Sequence, residues 1–246
     1  MPLPQIDRFL ALTSTMRNDD MYADMTINRR GTIFKLHKNI VCTQSKPLAA
    51  AFKGNFRESE DSTIVLEDDE PEIVDVVVRF LYEQALELNA TATEIGSLLL
   101  LAVKVYVIGD KYDIGGLSEL AKNEFEEVVG RACEDPSFIP ALGIIYKQTP
   151  DRTLRDIAIK VVTAHIDKFL AKREFTDLCE DIGALALDVL KATREPGNKG
   201  NNCKGYCFDR CWDCGGNLVA NCFGMMKKYG RLSTLCSQLP RTTLVL

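Results

Sequence analysis

Asp24-Met25-Thr26-Ile27, the turn Arg30-Gly31 and Phe34-Lys35-Leu36-His37-Lys38 open a run that closes on Phe80-Leu81-Tyr82, and reading this run decides the fold. Alternation sets Met25 and Ile27 opposite Phe34 and Leu36 as the buried faces of two short strands, joined at a glycine-containing turn. A short helix is expected from Lys38. Ser45 precedes Leu48, Ala51 and Phe52 at helical spacing, so its hydroxyl can accept an orphan backbone N–H as the N-cap of a second helix. A strand is expected from Ser62 to Glu67, with Ile64 and Leu66 alternating against Thr63, Val65 and Glu67. The acidic run Glu67-Asp68-Asp69-Glu70 then meets Pro71. It invites a metal reading, but carboxylates favour a helix N-terminus and proline suits the first turn, so a helix start is the reading taken. That helix carries Ile73, Val76, Val77, Phe80 and Leu81 on one stripe.

A second block, Val105-Tyr106-Val107-Ile108-Gly109-Asp110-Lys111-Tyr112, is followed by Leu117, Leu120, Ala121, Phe125 and Val128 and reads as a helical pair. Together the two blocks resemble a BTB/POZ domain: Asp24 to Tyr82 is similar to its first two-thirds, and such domains close with a helical pair carrying a similar Asp110-Lys111-Tyr112. The resemblance covers about half the chain and rests on several short matches in the right order. It implies an α+β fold, a small mixed sheet flanked by helices, over residues 21–130, followed by an all-helical extension. Met25, Ile27, Phe34, Leu36, Phe52, Ile64, Leu66, Phe80 and Leu120 are expected in one core. The family keeps a charged pair at a dimer-centred pocket, and Asp24 and Lys38, the latter just after His37, stand at those positions. Two ordinary surface charges are the plain alternative. In residues 1–20, Ile6, Phe9, Leu10 and Thr13 share one face of a short helix, where dimeric members carry a helix that packs against the partner subunit.

Residues 131–194 look like a short or divergent version of the helical extension called BACK. Three or four helices are expected: one with Phe138, Leu142, Ile145 and Tyr146; one with Leu154, Ile157, Ala158, Val161, His165 and Phe169; and one with Leu178, Ile182, Leu185, Ala186 and Val189. His165 falls on the apolar stripe, which favours a satisfied core histidine over a ligand or base. The run Glu195-Pro196-Gly197-Asn198-Lys199-Gly200-Asn201-Asn202 is rich in breakers and polar residues and marks a linker.

Beyond it, within residues 195–246, Cys203, Cys207, Cys211, Cys214 and Cys222 are spaced Cys-x3-Cys-x3-Cys-x2-Cys-x7-Cys. A structural zinc ion takes four such ligands, with Cys203, Cys207, Cys211 and Cys214 the first choice and Cys222 the replacement. Cys211-Trp212-Asp213-Cys214-Gly215 resembles a zinc knuckle, but Cys207 and Cys211 are crowded compared with ordinary finger spacing. Zinc binding and a reduced, Cys-rich tail both stay open. Residues 197–246 hold seven basic residues against Asp209 and Asp213, a local net of +5, so the preceding residues carry −10 towards the total of −5. An acidic body with a basic tail excludes a uniformly nucleic-acid-binding surface.

The 246 residues, 46% hydrophobic, suffice for one large domain or two modest ones. The most apolar stretch, Leu98 to Ile108, is interrupted by Lys104 and falls short of the roughly 20 residues a bilayer span requires. Met1 to Leu12 lacks the pattern of a secretory signal, so the nine cysteines are expected in a reducing compartment, cytoplasm or nucleus, as free thiols or metal ligands.

Catalysis is not expected. The chain has two histidines, no nucleophile elbow, no phosphate-cradling glycine loop and no evident acid pair, and Cys211-x-x-Cys214 lacks a redox-domain context. A transcriptional regulator using the basic Cys-rich tail, with Tyr206, Phe208 and Trp212 for stacking, is the alternative reading. The preferred reading is a protein–protein interaction module, homodimeric and with protein rather than nucleic-acid or membrane partners. The resemblance implies more narrowly a substrate adaptor for a cullin ubiquitin ligase. Cullin-binding members carry a hydrophobic-x-acidic signature before the Asp-Lys-Tyr. Here Leu101-Ala102-Val103 stands at that position without an acid, and Ala92-Thr93-Glu94 is the nearest substitute.

Overall fold

The structure, a computed structural model, describes residues 5–53, 61–86, 88 and 94–194. Strands β1 (Met25–Arg29) and β2 (Thr32–Leu36) form the expected antiparallel hairpin, with Met25 opposite Leu36 and Ile27 opposite Phe34. Arg30 and Gly31 have φ of 46° and 90°, positive at both turn positions, as in the hairpin turns whose twist matches that of the strands. On the other side of β1 lies β3 (Thr63–Val65), parallel to it, giving the order β2-β1-β3. A parallel neighbour requires a crossover, and α2 (Lys38–Gln44) and α3 (Lys46–Ala51) lie within it. Ser45 caps α3 by accepting the Leu48 N–H at 3.2 Å. The same hydroxyl donates to the Tyr112 carbonyl at 2.6 Å, which ties this corner to the far end of a later helix.

An N-terminal helix, α1 (Gln5–Arg17), lies against α4 (Pro71–Glu83). Pro71 opens α4 in its first turn, and the helix buries Ile73, Val74, Val76, Val77, Val78, Phe80, Leu81 and Tyr82, more of its circumference than one stripe. The central helix is α5 (Ile95–Lys111), apolar along most of its length and packed on α4, on α6 (Gly115–Val129) and on α7 (Phe138–Gln148). Gly96, near its start, comes so close to Asp135 that a Cβ there would collide with the carboxylate.

Met25, Ile27, Leu36, Ile64, Leu66 and Phe80 are buried in one core, whereas Phe34, Phe52 and Leu120 are half-buried against it. Phe34 sits nearer the turn in β2 than Leu36, which lies at the other end of the same strand and is buried. Arg29, at the end of β1, is buried, and its Nε and Nη1 have no hydrogen-bond partner among the described residues.

After α7 come α8 (Thr153–Ala164), α9 (Ile166–Leu170), α10 (Arg173–Asp181) and α11 (Gly183–Arg194). Five helices thus stand where three or four were expected, because the backbone leaves helical geometry at His165 and at Ile182 while the apolar period runs on in phase. His165 is corrected accordingly: it is half-exposed at the bend between α8 and α9 rather than in the core. Phe138, Phe169 and Phe175 interlock with ring centroids 5.0 and 5.3 Å apart and join these helices to one shared core. Buried polar contacts reinforce the junction. Tyr106 of α5 donates to Asp151 at 2.6 Å, and Tyr146 of α7 donates to Asp188 of α11 at 2.9 Å.

Candidate interaction surface

The residues singled out in the sequence fall into two groups in space: clamps inside the fold and groups left on its surface. His37 and Tyr82 are clamps, 4% and 1% exposed. The Tyr82 hydroxyl accepts the His37 backbone N–H at 3.0 Å and lies 2.8 Å from His37 Nδ1, while Nε2 lies 3.1 Å from the Met21 carbonyl. A carbonyl can only accept, so Nε2 carries the ring proton, Nδ1 is the acceptor and the phenol donates to it. Every polar atom of the pair is thereby satisfied, and the loop before β1 is fixed through Met21. Burial pushes the Tyr82 phenol above its ordinary pKa.

Lys111 and Tyr112 form the second clamp. Lys111 Nζ donates to both Asp69 oxygens at 2.9 Å, and the Tyr112 hydroxyl donates to Asp69 Oδ2 at 2.6 Å. Lys104 likewise reaches Glu70 at 2.7 Å. The acidic run therefore does more than start a helix: two of its carboxylates pin the head of α4 to the flank of α5. Asp110, the first member of the Asp-Lys-Tyr signature, is exposed.

Asp24 and Lys38 do come together, through the backbone. Asp24 Oδ1 accepts the Lys38 N–H at 2.7 Å at the start of α2, while the Lys38 ammonium donates to Ser62 Oγ at 2.8 Å and sits 4.8 Å from the Phe52 ring centroid. Asp24 is exposed.

Helix α1 docks through polar groups. Thr13 Oγ1 donates to the Tyr82 carbonyl at 2.5 Å, Ser14 to Glu83 at 3.3 Å, and Arg17 Nε pairs with Glu83 at 3.0 Å, with Met16 packed on the core. Leu10 is half-buried, but Phe9 is 62% and Leu12 66% exposed. The side chain of Ile6 lies outside the described residues. Met21, Tyr22 and Ile33 are exposed as well, so large apolar side chains on α1, on the following loop and on the edge strand face solvent.

Elsewhere, Leu101, Ala102 and Val103 are buried inside α5 and offer nothing to a partner, whereas Glu94 is exposed at the head of that helix and Ala92 and Thr93 lie outside the described residues. The linker from Glu195 and the cluster Cys203, Cys207, Cys211, Cys214 and Cys222 also lie outside them. Among the described residues no group of His, Cys, Asp or Glu could hold a metal ion, and no helix is long and apolar enough to cross a membrane.

The family model for the BTB/POZ domain matches residues 13–127, from the middle of α1 through most of α6. The chain carries a BTB/POZ domain. The BTB domain is a protein-interaction fold. The human Kelch repeat and BTB domain-containing protein 4 is 26% identical over 101 residues, covering 41% of this chain and 17% of that protein. Rat Kelch-like protein 25 is 23% identical over 176 residues, covering 71% of this chain and 28% of that protein. The chain thus spans less than a third of the length of either relative. Among solved structures, the BTB domain of human gigaxonin aligns with a TM-score of 0.38 and 18% identity over 49% of this chain and 92% of that one.

Sequence reasoning missed the partners of the BTB signature residues. The Asp69 clamp joins positions far apart in sequence, and no local pattern marks it.

Proposed function

We propose that the protein is a self-associating adaptor whose α1 face pairs with a second copy and whose remaining surface recruits other proteins. One observation carries this reading: α1 is held on its own domain by Thr13, Ser14 and Arg17, yet leaves Phe9 and Leu12 exposed. Two large apolar side chains on a fixed helix favour burial against a partner, each by roughly 1.5–3 kcal/mol. The BTB fold and the likeness to Kelch-BTB proteins support it. The match to Kelch-like protein 25 is longer than residues 13–127 and supports reading α7 to α11 as a BACK-like extension. A cullin ubiquitin ligase is the class of machinery the resemblance implies, with substrates presented by residues 136–246.

Light scattering on the intact chain tests the self-association. A dimer is expected, and Phe9→Glu with Leu12→Glu shifts it to monomer without loss of helicity. A monomeric parent protein removes the reading. Affinity purification in the presence of cullins separately tests the machinery: absence of any cullin removes the ligase adaptor role and leaves the self-association standing.

A further inference from the structure

A groove of about 720 Å3 runs between α7 and α10, and its lining includes no residue of α1 and none of the BTB signature residues. Its volume falls within the roughly 300–1,000 Å3 typical of ligand sites. The floor is apolar, from Ile139, Gly143 and Leu178, and the rim is acidic, from Glu174, Asp177 and Asp181. Lys172 is the one cation among its lining residues, and its ammonium sits 5.5 Å from the Phe169 ring centroid. Asp181 is paired with Lys147 at 2.7 Å and Asp177 with Arg173 at 3.7 Å, while Glu174 makes no ion pair among the described residues. Over its whole length α10 reads Arg-Glu-Phe-Thr-Asp-Leu-Cys-Glu-Asp, four carboxylates against one guanidinium. The occupant such a groove selects is a peptide that combines large apolar side chains with lysine or arginine and carries no acid.

The chain itself contains one. Phe223-Gly224-Met225-Met226-Lys227-Lys228-Tyr229-Gly230-Arg231-Leu232 combines five large apolar side chains with three cations and no acid, inside a tail of net +5 that follows a body of net −10. We propose that this segment docks in the groove between α7 and α10 of its own chain. Reach permits it. Asp181 on the rim stands two residues before α11, and that helix, 12 residues long, measures about 18 Å to Arg194. The stretch from residue 195 to 222 then spans about 30 Å as a coil and about 90 Å when fully extended. Tethering at such distances gives effective concentrations on the order of millimolar, so modest contacts suffice. Methionine and phenylalanine suit the uneven apolar floor, and the cations face the rim. Docked in this way, the tail occupies a surface of the helical extension that a basic partner peptide would otherwise use, and a competing partner releases it.

The test uses the full chain. Zero-length carbodiimide cross-linking on an equal mixture of isotopically light and heavy protein should join Lys227 or Lys228 to Glu174, Asp177 or Asp181 within one chain. Hydrogen exchange should be about threefold or more slower in α10 of the parent protein than in a Lys227→Glu, Lys228→Glu, Arg231→Glu variant. Glu174→Lys with Asp177→Lys, both surface changes, should abolish the same cross-links, and 1 M salt should weaken them by screening. Equal exchange in α10 of the parent and the tail variant overturns the proposal. So do cross-links found only between light and heavy chains, which would assign the groove to a second copy. Persistence of the protection in the rim variant also overturns it. Loss of the α1 dimer leaves all these readouts unchanged, so the two readings fail independently.

Discussion

Replacing Tyr82 with Phe isolates the clamp at the centre of the BTB domain. The change removes one oxygen, keeps the ring and leaves no large cavity, so the cost is that of the polar groups it strands. Two remain: the His37 backbone N–H, bonded to the hydroxyl at 3.0 Å, and His37 Nδ1 at 2.8 Å. At 4% exposure for His37 and 1% for Tyr82, water does not replace the hydroxyl without disturbing the packing. A stranded buried donor or acceptor costs about 1–3 kcal/mol, so for the two together the expected loss is about 2–6 kcal/mol. For a chain of this size that lowers the melting temperature by roughly 4–24 °C. Urea unfolding followed by circular dichroism measures it, at one fixed chain concentration because self-association adds to apparent stability. Tyr22→Phe is the control, since that side chain is 85% exposed and should cost nothing measurable. The Tyr82 carbonyl that holds Thr13 survives the substitution, so α1 stays docked and the oligomeric state should not change. A loss below about 1 kcal/mol would refute the clamp as a stabilising contact.

Alkaline stability follows from three other phenols. Tyr112 is held above its ordinary pKa by burial and then by Asp69, Tyr146 by burial and then by Asp188, and Tyr106 is pushed up to about 12 by burial and then by Asp151. Because the folded-state values exceed the unfolded value of about 10, this stability is intact below about pH 10 and is lost as pH rises through the folded values. The urea midpoint should therefore fall steadily above about pH 10, more gently in Tyr112→Phe, and a flat profile would contradict the assignment. Arg29→Met should raise stability by about 1–3 kcal/mol, since it removes a buried cation whose Nε and Nη1 have no partner among the described residues; destabilisation would reveal a partner for it. Gly96→Ala should cost about 1–2 kcal/mol, because the collision with Asp135, whose Oδ1 accepts the Ser137 N–H at 2.8 Å, outweighs the helix propensity gained. Unchanged denaturation would show that Asp135 yields freely.

How much of this could be read from the residues depends on how local each cause is. The hairpin was legible because a two-residue period and an Arg-Gly turn lie within a dozen positions, and α4 because Pro71 and a helical stripe agree. The breaks at His165 and Ile182 were not. An apolar residue continues the period across each, so the pattern carries no sign that the axis turns there. The acidic run had a sufficient local explanation, a helix start, which hid the long-range one, Lys104 and Lys111 on a helix more than thirty residues later.

Helix α1 shows where sequence reasoning reaches its edge at the candidate surface itself. Its stripe was legible as amphipathic, and Ile6, Phe9, Leu10 and Thr13 read as one face turned to a partner subunit. The structure splits that face: Thr13, Ser14 and Arg17 fasten the helix to α4 by hydrogen bonds and an ion pair, Met16 packs on the core and Leu10 is half-buried, while Phe9 and Leu12 stay out. An apolar period says that a face wants burial, and nothing in it says whether the cover comes from the same chain. That question turns on the carbonyl of Tyr82 and the carboxylate of Glu83 being free at the end of α4 to receive a polar helix, a property of the assembled domain. The distinction between a core helix and an interface helix is therefore written in the docking partners, and at this site those partners became visible only with the fold.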